Sequence, residues 1–256
     1  MIDIHNHIIP NVDDGPVSQE ETIELIKQAA EQGISGIVAT PHHLHHKYNN
    51  NFSDVERYVD KLNQTEKIKE IGVTIYPGQE IRVSDQLLVD LDKGEIKGLN
   101  NSNYLLLELP TNHVPNFIWN LIYEVQTRGY TPIIVHPERN KLIAQDINIL
   151  YKLVNVGALS QITASSLTGD MGKKLQKISI NMLEHKLVHF IASDAHSTHT
   201  RPFCADNMFR NKKLKKFESV IQTLYLNNEN LIHNKNINKE RPIENRPKKL
   251  FGFFSK

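Results

Sequence analysis

The sequence predicts an α/β protein, a closed or nearly closed (β/α) barrel of about seven strands with its active site at the C-terminal ends of the strands. Three observations predict it. Short apolar runs alternate with helical-period segments seven times, as a buried parallel sheet covered by helices requires. Nearly every apolar run ends in a polar or charged cluster, whereas an open doubly wound sheet carries its ligand on one or two loops at a switch point. In a barrel those strand ends converge on one face, which carries the chemistry. A length of 256 residues, 39% hydrophobic and 23% charged, suits one such barrel.

The elements follow in order. Met1–His7 reads as a strand closed by His5 and His7, whose i, i+2 spacing turns both imidazoles to one side. Ser18 with Glu21 forms a capping box, and Gly33 stops the helix. A second strand, Ile34–Thr40, runs into Pro41-His42-His43, and Ser53 with Glu56 predicts a second capping box. Val73–Tyr76 leads to Pro77-Gly78-Gln79-Glu80, with a short helix from about Ser84. Tyr104–Leu107 reaches Glu108, and a helix over Phe117–Arg128 ends at Gly129. Pro132–Val135 reaches His136-Pro137-Glu138-Arg139, followed by a helix near Ile147–Val156. Ala158–Thr163 precedes a helix over Met171–His185. Val188–Ala192 reaches Ser193-Asp194-Ala195-His196, and a last helix starts near Phe203.

The barrel is assigned to residues 1–234. From Lys235 onward seven Lys/Arg face two Glu, prolines at 242 and 247 break any helix, and the chain ends L-F-G-F-F-S-K. Residues 235–256 read as a basic, solvated tail, with a docking or membrane-surface segment as the functional alternative. The run Arg210–Lys216 reads as a solvated helix face.

Bulk properties exclude several classes. A formal charge of +1 argues against a nucleic-acid or membrane binder. Asp3 and His5 interrupt any signal peptide, and no run approaches the length of a membrane span. One cysteine excludes a disulfide framework and points to the cytoplasm. Thirteen histidines are an excess, and five of them, His5, His7, His42, His136 and His196, stand at strand ends.

Those strand ends supply His5, His7 and Asp13 or Asp14, then His42, Glu80, Glu108, His136 with Arg139, and Asp194 with His196. So many carboxylates on one face require cations, and the set is large enough for two or three metal ions with one carboxylate bridging. Imidazole and carboxylate without thiolate suit Mn, Fe, Mg or catalytic Zn and argue against structural zinc. Closely spaced metals suit phosphoester hydrolysis, and Arg139 and Arg201 suit phosphate oxygens. Singly, each residue has a bland reading as a solvated carboxylate or packed histidine; co-location on the barrel face carries the assignment. His43, His45, His46, His113 and His199 read as loop histidines, and His185, His189 and His233 as ordinary ones. Cys204 to Arg210 matches C-x5-R, the minimal signature of cysteine-based phosphatases. It lacks glycine, carries Asp206 and reads as helical, so Cys204 reads as a packed small hydrophobe.

The motifs H-N-H at 5–7, D-D-G at 13–15, T-P-H at 40–42, G-Q-E at 78–80, L-E-L at 107–109, H-P-E-R at 136–139 and S-D-A-H at 193–196 resemble the polymerase-and-histidinol-phosphatase (PHP) superfamily. More closely, residues 1–230 resemble the bacterial capsule-cluster protein-tyrosine phosphatases of CpsB/CapC type. The resemblance implies a distorted (β/α)7 TIM-like barrel of PHP fold that carries a trinuclear, manganese-preferring centre, with Fe, Zn, Mg or Co as substitutes. Carried onto matching positions, one metal takes His5, His7, Glu80 and Asp194; a second shares Glu80 and takes Glu108 and His136; a third takes Asp14, His42 and His196. Arg139 and Arg201 hold phosphate, and metal-activated hydroxide attacks phosphorus without a phosphoenzyme. The implied substrate is a tyrosine-phosphorylated protein, the tail of a membrane-anchored capsule tyrosine kinase, with control of extracellular polysaccharide synthesis as the outcome. The protein itself is then cytoplasmic and meets the membrane only through that kinase. Two alternatives stand beside this: a small-molecule phosphatase of histidinol-phosphate type on the same metals, and a non-catalytic metal-binding regulator that docks on a kinase.

Overall fold

The structure is a computed structural model and describes residues 1–246. Nine strands are present: β1 (Ile2–Asn6), β2 (Gly36–Ala39), β3 (His42–His43), β4 (Thr74–Pro77), β5 (Glu80–Arg82), β6 (Tyr104–Glu108), β7 (Thr131–Val135), β8 (Leu159–Thr163) and β9 (Phe190–Ala192). All ladders are parallel, in two sheets of order β1-β2-β4 and β3-β5-β6-β7-β8-β9. Two of the seven expected strands, Ile34–Thr40 and Val73–Tyr76, are each followed after a short break by a further strand, β3 and β5. Pro41 has no N–H for a ladder and separates β2 from β3, and Gly78-Gln79 separates β4 from β5. A Cβ at Gly78 would lie 2.6 Å from Leu99 Cδ2 and 2.8 Å from Val38 Cγ1, so any larger residue there would have to displace those side chains. The short turn Leu99–Asn101 packs against both β4 and β6, which do not pair with each other. The sheets meet again where β1 passes the end of β9. Asn6 and Ala195 form a parallel bridge, Asp194 N donates to His5 O (2.8 Å) and His7 N to Ala195 O (2.8 Å). Seven strand positions thus run around a distorted barrel.

Alternation divides the strands cleanly. Ile4, Val38, Leu106, Ile133, Val135, Phe190 and Ala192 form a small inner cluster, closed below by Leu231 and Ile232. Ile37, Leu105, Leu107, Ile134 and Ile191 face the helices in the larger outer cluster. Continued two residues at a time, the inward set reaches His42 from Val38, Glu108 from Leu106, Gln161 from Leu159 and Asp194 from Ala192. Strict alternation from Ile4 would turn His5 outward. A register irregularity between Asp3 and Asn6 re-aims it, as a bulge does. Asp3 pins that irregularity: its carboxylate accepts from His5 N (3.2 Å), Asn6 Nδ2 (3.0 Å) and Ser193 N (2.8 Å) while only 3% exposed.

Helix boundaries agree with the sequence where capping decides them. Ser18 accepts from Glu21 N at the start of Gln19–Glu31, and Glu21 reaches back to Val17 N (2.9 Å). The helices Ile118–Thr127 and Asn148–Asn155 lie within the expected spans. The Ser53–Glu56 capping box does not form. That helix starts at Phe52, whose N–H is satisfied by Glu95 O (2.9 Å) and whose buried ring leaves Ser53 inside the first turn. The short helix expected from Ser84 begins at Leu87. The helix expected over Met171–His185 is Lys173–Glu184, preceded by a separate Ala164–Thr168 that Gly169 ends at φ 95°. Lys141–Gln145, capped by Asn140, was not expected. The last helix is three pieces: Ala205–Arg210, the 3-10 segment Lys212–Phe217 and Glu218–Ile232.

Lys235–Arg246 carry no regular secondary structure but lie against the barrel. Asn227 brackets Asn238 through its N–H (2.8 Å) and carbonyl (2.8 Å), Ile243 N donates to His185 O (2.9 Å), and Asn245 pairs with Asn148. The remainder of the expected tail, 247–256, lies outside the described residues. His189, at the mouth of β9, is held neutral: burial, with Lys239 nearby, pushes its imidazole down to about 4, and its Nδ1 accepts from Ser160 N (3.1 Å).

A histidine depressed in the fold contributes stability above its unfolded pKa and loses it as pH falls through the folded value. Chemical denaturation should therefore show wild type losing up to about 3 kcal/mol more than His189→Asn between pH 6.5 and 4. Parallel pH profiles would contradict a buried neutral imidazole at this position.

Candidate metal centre

The inward strand ends meet in one cleft of about 290 Å³, lined among others by Asp14, His42, Glu80, Glu108, His136, Arg139, Asp194, His196 and Arg201. His5 and His7 lie beneath it, fully buried. All nine histidines and carboxylates expected as ligands, and both arginines, are thereby brought together.

Three groups of donor atoms lie mutually within 4.8 Å: His5, His7, Glu80 and Asp194; His7, Asp14, His42 and His196; and His42, Glu80 and Glu108. The first matches the expected set. The second contains the expected Asp14, His42 and His196 with His7 added. In the third, His42 rather than His136 stands with Glu80 and Glu108. His136 Nε2 instead shares a hydrogen bond with Glu80 Oε1 (2.7 Å). Its direction comes from a left-handed backbone (φ 33°, ψ 51°), and Asp194 is likewise at φ 53°. Such conformations cost of order 1–3 kcal/mol each and persist where surrounding structure enforces them.

Outer atoms are tied and inner atoms are bare. His5 Nδ1 is bonded to Gln161 Oε1 (2.9 Å) and His7 Nδ1 to Asp13 Oδ2 (2.6 Å). Asp194 Oδ2 accepts from both Arg139 and Arg201. In contrast His5 Nε2, His7 Nε2, His42 Nδ1, Glu108 Oε2 and Asp194 Oδ1 are buried without a hydrogen-bond partner. They approach one another around Glu80 Oε2, 3.3 Å from His5 Nε2, 3.2 Å from His7 Nε2 and 3.0 Å from His42 Nδ1. Buried polar atoms are normally satisfied, and a convergent unsatisfied set of hard and borderline donors fits divalent cations.

The electrostatics agree. Burial opposes ionisation of Glu80, yet His5, His42 and the bond with His136 hold its carboxyl well below the usual range. Asp194 is also depressed, with Arg139 and His5 outweighing burial. Glu108 moves the other way: burial and the Glu80 charge push it up, and Arg82 (2.8 Å) offsets this only in part. Burial and Arg139 push His136 down to about 4, keeping it an unprotonated donor. Two carboxylates this close and this buried call for a cation between them.

Two residues here, Gln161 and Arg82, have no place in the sequence reading, and Asp13 and His45 have another role than it gives them. Gln161 was legible, since it follows the inward Leu159 by two and is polar in an apolar strand. Asp13 was weighed against Asp14; it orients His7 from outside. Arg82, two residues after Glu80 in β5, shares its side of the strand and pairs with Glu108, whereas His45 carries no signal because only the fold brings the loop after β3 to the cleft. Of the other histidines read as loop residues, His43 is buried 3.3 Å from Asp90, away from the cleft. Cys204 is buried at the edge of Ala205–Arg210, where burial, with Asp170 and Asp3, pushes its thiol up to about 12, so it is no thiolate nucleophile.

Fold and site define the class: a distorted parallel α/β barrel of PHP type with a histidine–carboxylate centre suited to divalent metals. The family profile described as "Capsular polysaccharide synthesis, CpsB/CapC" matches residues 1–233, and the chain belongs to that family. CapC of Staphylococcus aureus is 47% identical over 253 residues, covering 98% of this chain and 99% of CapC. The tyrosine-protein phosphatase YwqE of Bacillus subtilis (strain 168) is 41% identical over 255 residues, covering 99% of this chain and 100% of YwqE. A solved chain from the crystal structures of YwqE from Bacillus subtilis and CpsB from Streptococcus pneumoniae, described as unique metal-dependent tyrosine phosphatases, superposes with a TM-score of 0.92. It is 39% identical, covering 96% of this chain and 100% of that one.

Gln161→Ala frees the His5 ring to rotate. Titration of metal-stripped protein with Mn²⁺ should show affinity weakened about 10–100-fold, with an unchanged circular dichroism spectrum. Unaltered affinity would mean that His5 needs no outer partner.

Proposed function

We propose that this chain is a metal-dependent, not cysteine-based, protein-tyrosine phosphatase. It acts in the cytoplasm on the phosphotyrosines of a membrane-anchored capsule tyrosine kinase and so regulates capsular polysaccharide synthesis. The observation that carries it is the ring of buried, unpartnered inner donor atoms beside two arginines. The family's capsule context and the named activity of its relatives give that ring a substrate. No helix among the described residues is long and apolar enough to cross a membrane; in this reading the membrane anchor is the kinase's.

His5, His7, Glu80 and Asp194 would hold one ion, Glu80, Glu108 and His136 a second, and Asp14, His42 and His196 a third. The nitrogen and oxygen donor set, free of thiolate, suits Mn²⁺, with Fe, Zn, Mg or Co able to substitute. When bound, such ions acidify water and take up charge on phosphoryl oxygens. The chain's own groups do the rest. Arg139 Nε is buried without a partner and Arg201 is about one-third exposed at the cleft, so both guanidinia can receive phosphoryl oxygens while Asp194 holds them in place. Water enters opposite the tyrosine oxygen, the P–O bond to tyrosine breaks and phenolate leaves. With a pKa of about 10, phenolate needs little assistance from a general acid.

Hydrolysis of a phosphotyrosine peptide by purified protein tests this. EDTA should abolish it and Mn²⁺ restore it; Arg201→Ala should lower kcat about 100-fold, and Cys204→Ser should leave it unchanged within a factor of about two. Loss of activity in Cys204→Ser with indifference to EDTA would transfer the chemistry to the thiol.

A further inference from the structure

The end of the barrel away from the cleft holds a cavity that the chemistry above does not use. There the starts of β8 and β9 and the end of the helix Asn148–Asn155 meet the segment Lys235–Arg246 around a space of about 290 Å³. Leu159 and His189 line it from the barrel, and Lys239, Glu240 and Arg241 from the segment.

His189 decides what this cavity takes. Its side chain is 2% exposed, and its backbone is fixed on both sides, with His189 N donating to Ser160 O (3.0 Å) and His189 O accepting from Asn227 Nδ2 (2.9 Å). Nδ1 accepts from Ser160 N, so the ring proton sits on Nε2. No described residue accepts from Nε2, yet Nε2 is not one of the sealed, unpartnered atoms of the interior, so its N–H opens on the cavity. A protonated ring nitrogen donates a hydrogen bond and does not ligate a metal. The charges around it are positive and uncommitted. Lys239 stands close enough for its charge to disfavour a second proton on the imidazole. Neither Lys239 nor Arg241 has an ion-pair partner among the described residues, and the carboxylate of Glu240 is taken up by Lys186. The carbonyls at the nearby helix end are occupied as well: Leu153 O by Ala158 N (3.1 Å), Val154 O by Gly157 N (3.0 Å) and Val156 O by Gln126 Nε2 (3.2 Å). One buried N–H donor and two cations without anions of their own fit a small oxyanion.

We propose that His189, Lys239 and Arg241 form a second site, separate from the catalytic cleft, for a dianionic oxyanion: inorganic phosphate or the phosphoryl end of a small molecule. His189 supplies a fixed hydrogen bond from the barrel, and the two cations supply charge from the segment. An ion held between them joins the Lys235–Arg246 segment to the barrel. The site lies at the opposite ends of the strands from the metal centre and takes no part in bond breaking.

The test reads His189 itself, so an ion bound in the cleft does not mimic the result. Full-length protein with isotope-labelled histidine, loaded with diamagnetic Mg²⁺, is followed by NMR during titration with inorganic phosphate and with methylphosphonate. The His189 signals are assigned by their absence in His189→Asn. The ring should show its proton on Nε2, and the Nε2 signal should move saturably with phosphate. Lys239→Gln and Arg241→Gln, both at exposed positions, should each weaken that response about tenfold. Methylphosphonate matching phosphate would extend the site to the phosphoryl end of a larger molecule, and methylphosphonate without effect would confine it to the free ion. A proton on Nδ1, no saturable response at His189, or an equal response in the double variant Lys239→Gln with Arg241→Gln would overturn the site.

Discussion

The structure depends on the seam between its first strand and its last. Three contacts make it: Asp3 to Ser193, Asp194 N to His5 O and His7 N to Ala195 O. They set His5 and His7 against Asp194 and His196, residues almost the whole barrel apart in sequence. They also hold the irregularity that turns His5 inward, against the alternation that Ile2 and Ile4 establish. Asp3 is the hinge of this arrangement. Burial pushes its carboxyl up to about 6, and the bonds from Asn6, Ser193 and His5 only partly counter that. Replacing it would leave the Ser193 and His5 amides without their acceptor in a buried seam, which costs about 1–3 kcal/mol for each such group.

Around the seam, each central side chain divides its polar atoms between two tasks. Asp194 gives Oδ2 to the arginines and leaves Oδ1 bare; His5 and His7 give Nδ1 to Gln161 and Asp13 and leave Nε2 bare. The outer bonds select the tautomer and hold the ring, which is how a metal ligand is oriented before the metal is present. The arrangement also couples the two halves of the chemistry. The carboxylate that faces the metal-suited pocket is the one that positions both phosphate-suited guanidinia, so neither can shift without the other.

Much of this was legible because strand ends in a parallel barrel share one face. His5, His7, His42, Glu80, Glu108, His136, Asp194 and His196 follow apolar runs directly, and Asp14 follows in the first loop. What was illegible falls into physical kinds. The breaks at Pro41 and Gly78 were visible as residues, but whether a strand resumes beyond them depends on partners, Pro41 O with Glu80 N among them. The failed Ser53 cap was a local signal overridden by burial of Phe52. His45 belongs to the cleft only through the loop after β3, whose approach no local pattern encodes. The stretch Lys235–Arg246 looked solvated by composition, yet asparagine side chains from two helices hold its backbone.

The seam also bears on how the molecule is made. A chain emerging in order exposes β1 first and β9 nearly two hundred residues later, so the His5–His7 pair waits for its partners until the barrel is almost complete. Contacts so distant in sequence are slow to form, because loop entropy must be overcome before they can contribute. No partial product has the full donor set, since the groups built on His5 and His7 need Asp194 or His196 from the last strand. Ion capture by those groups therefore reports on closure of the ring, and an ion that binds only the closed form stabilises it by mass action against reopening at the seam.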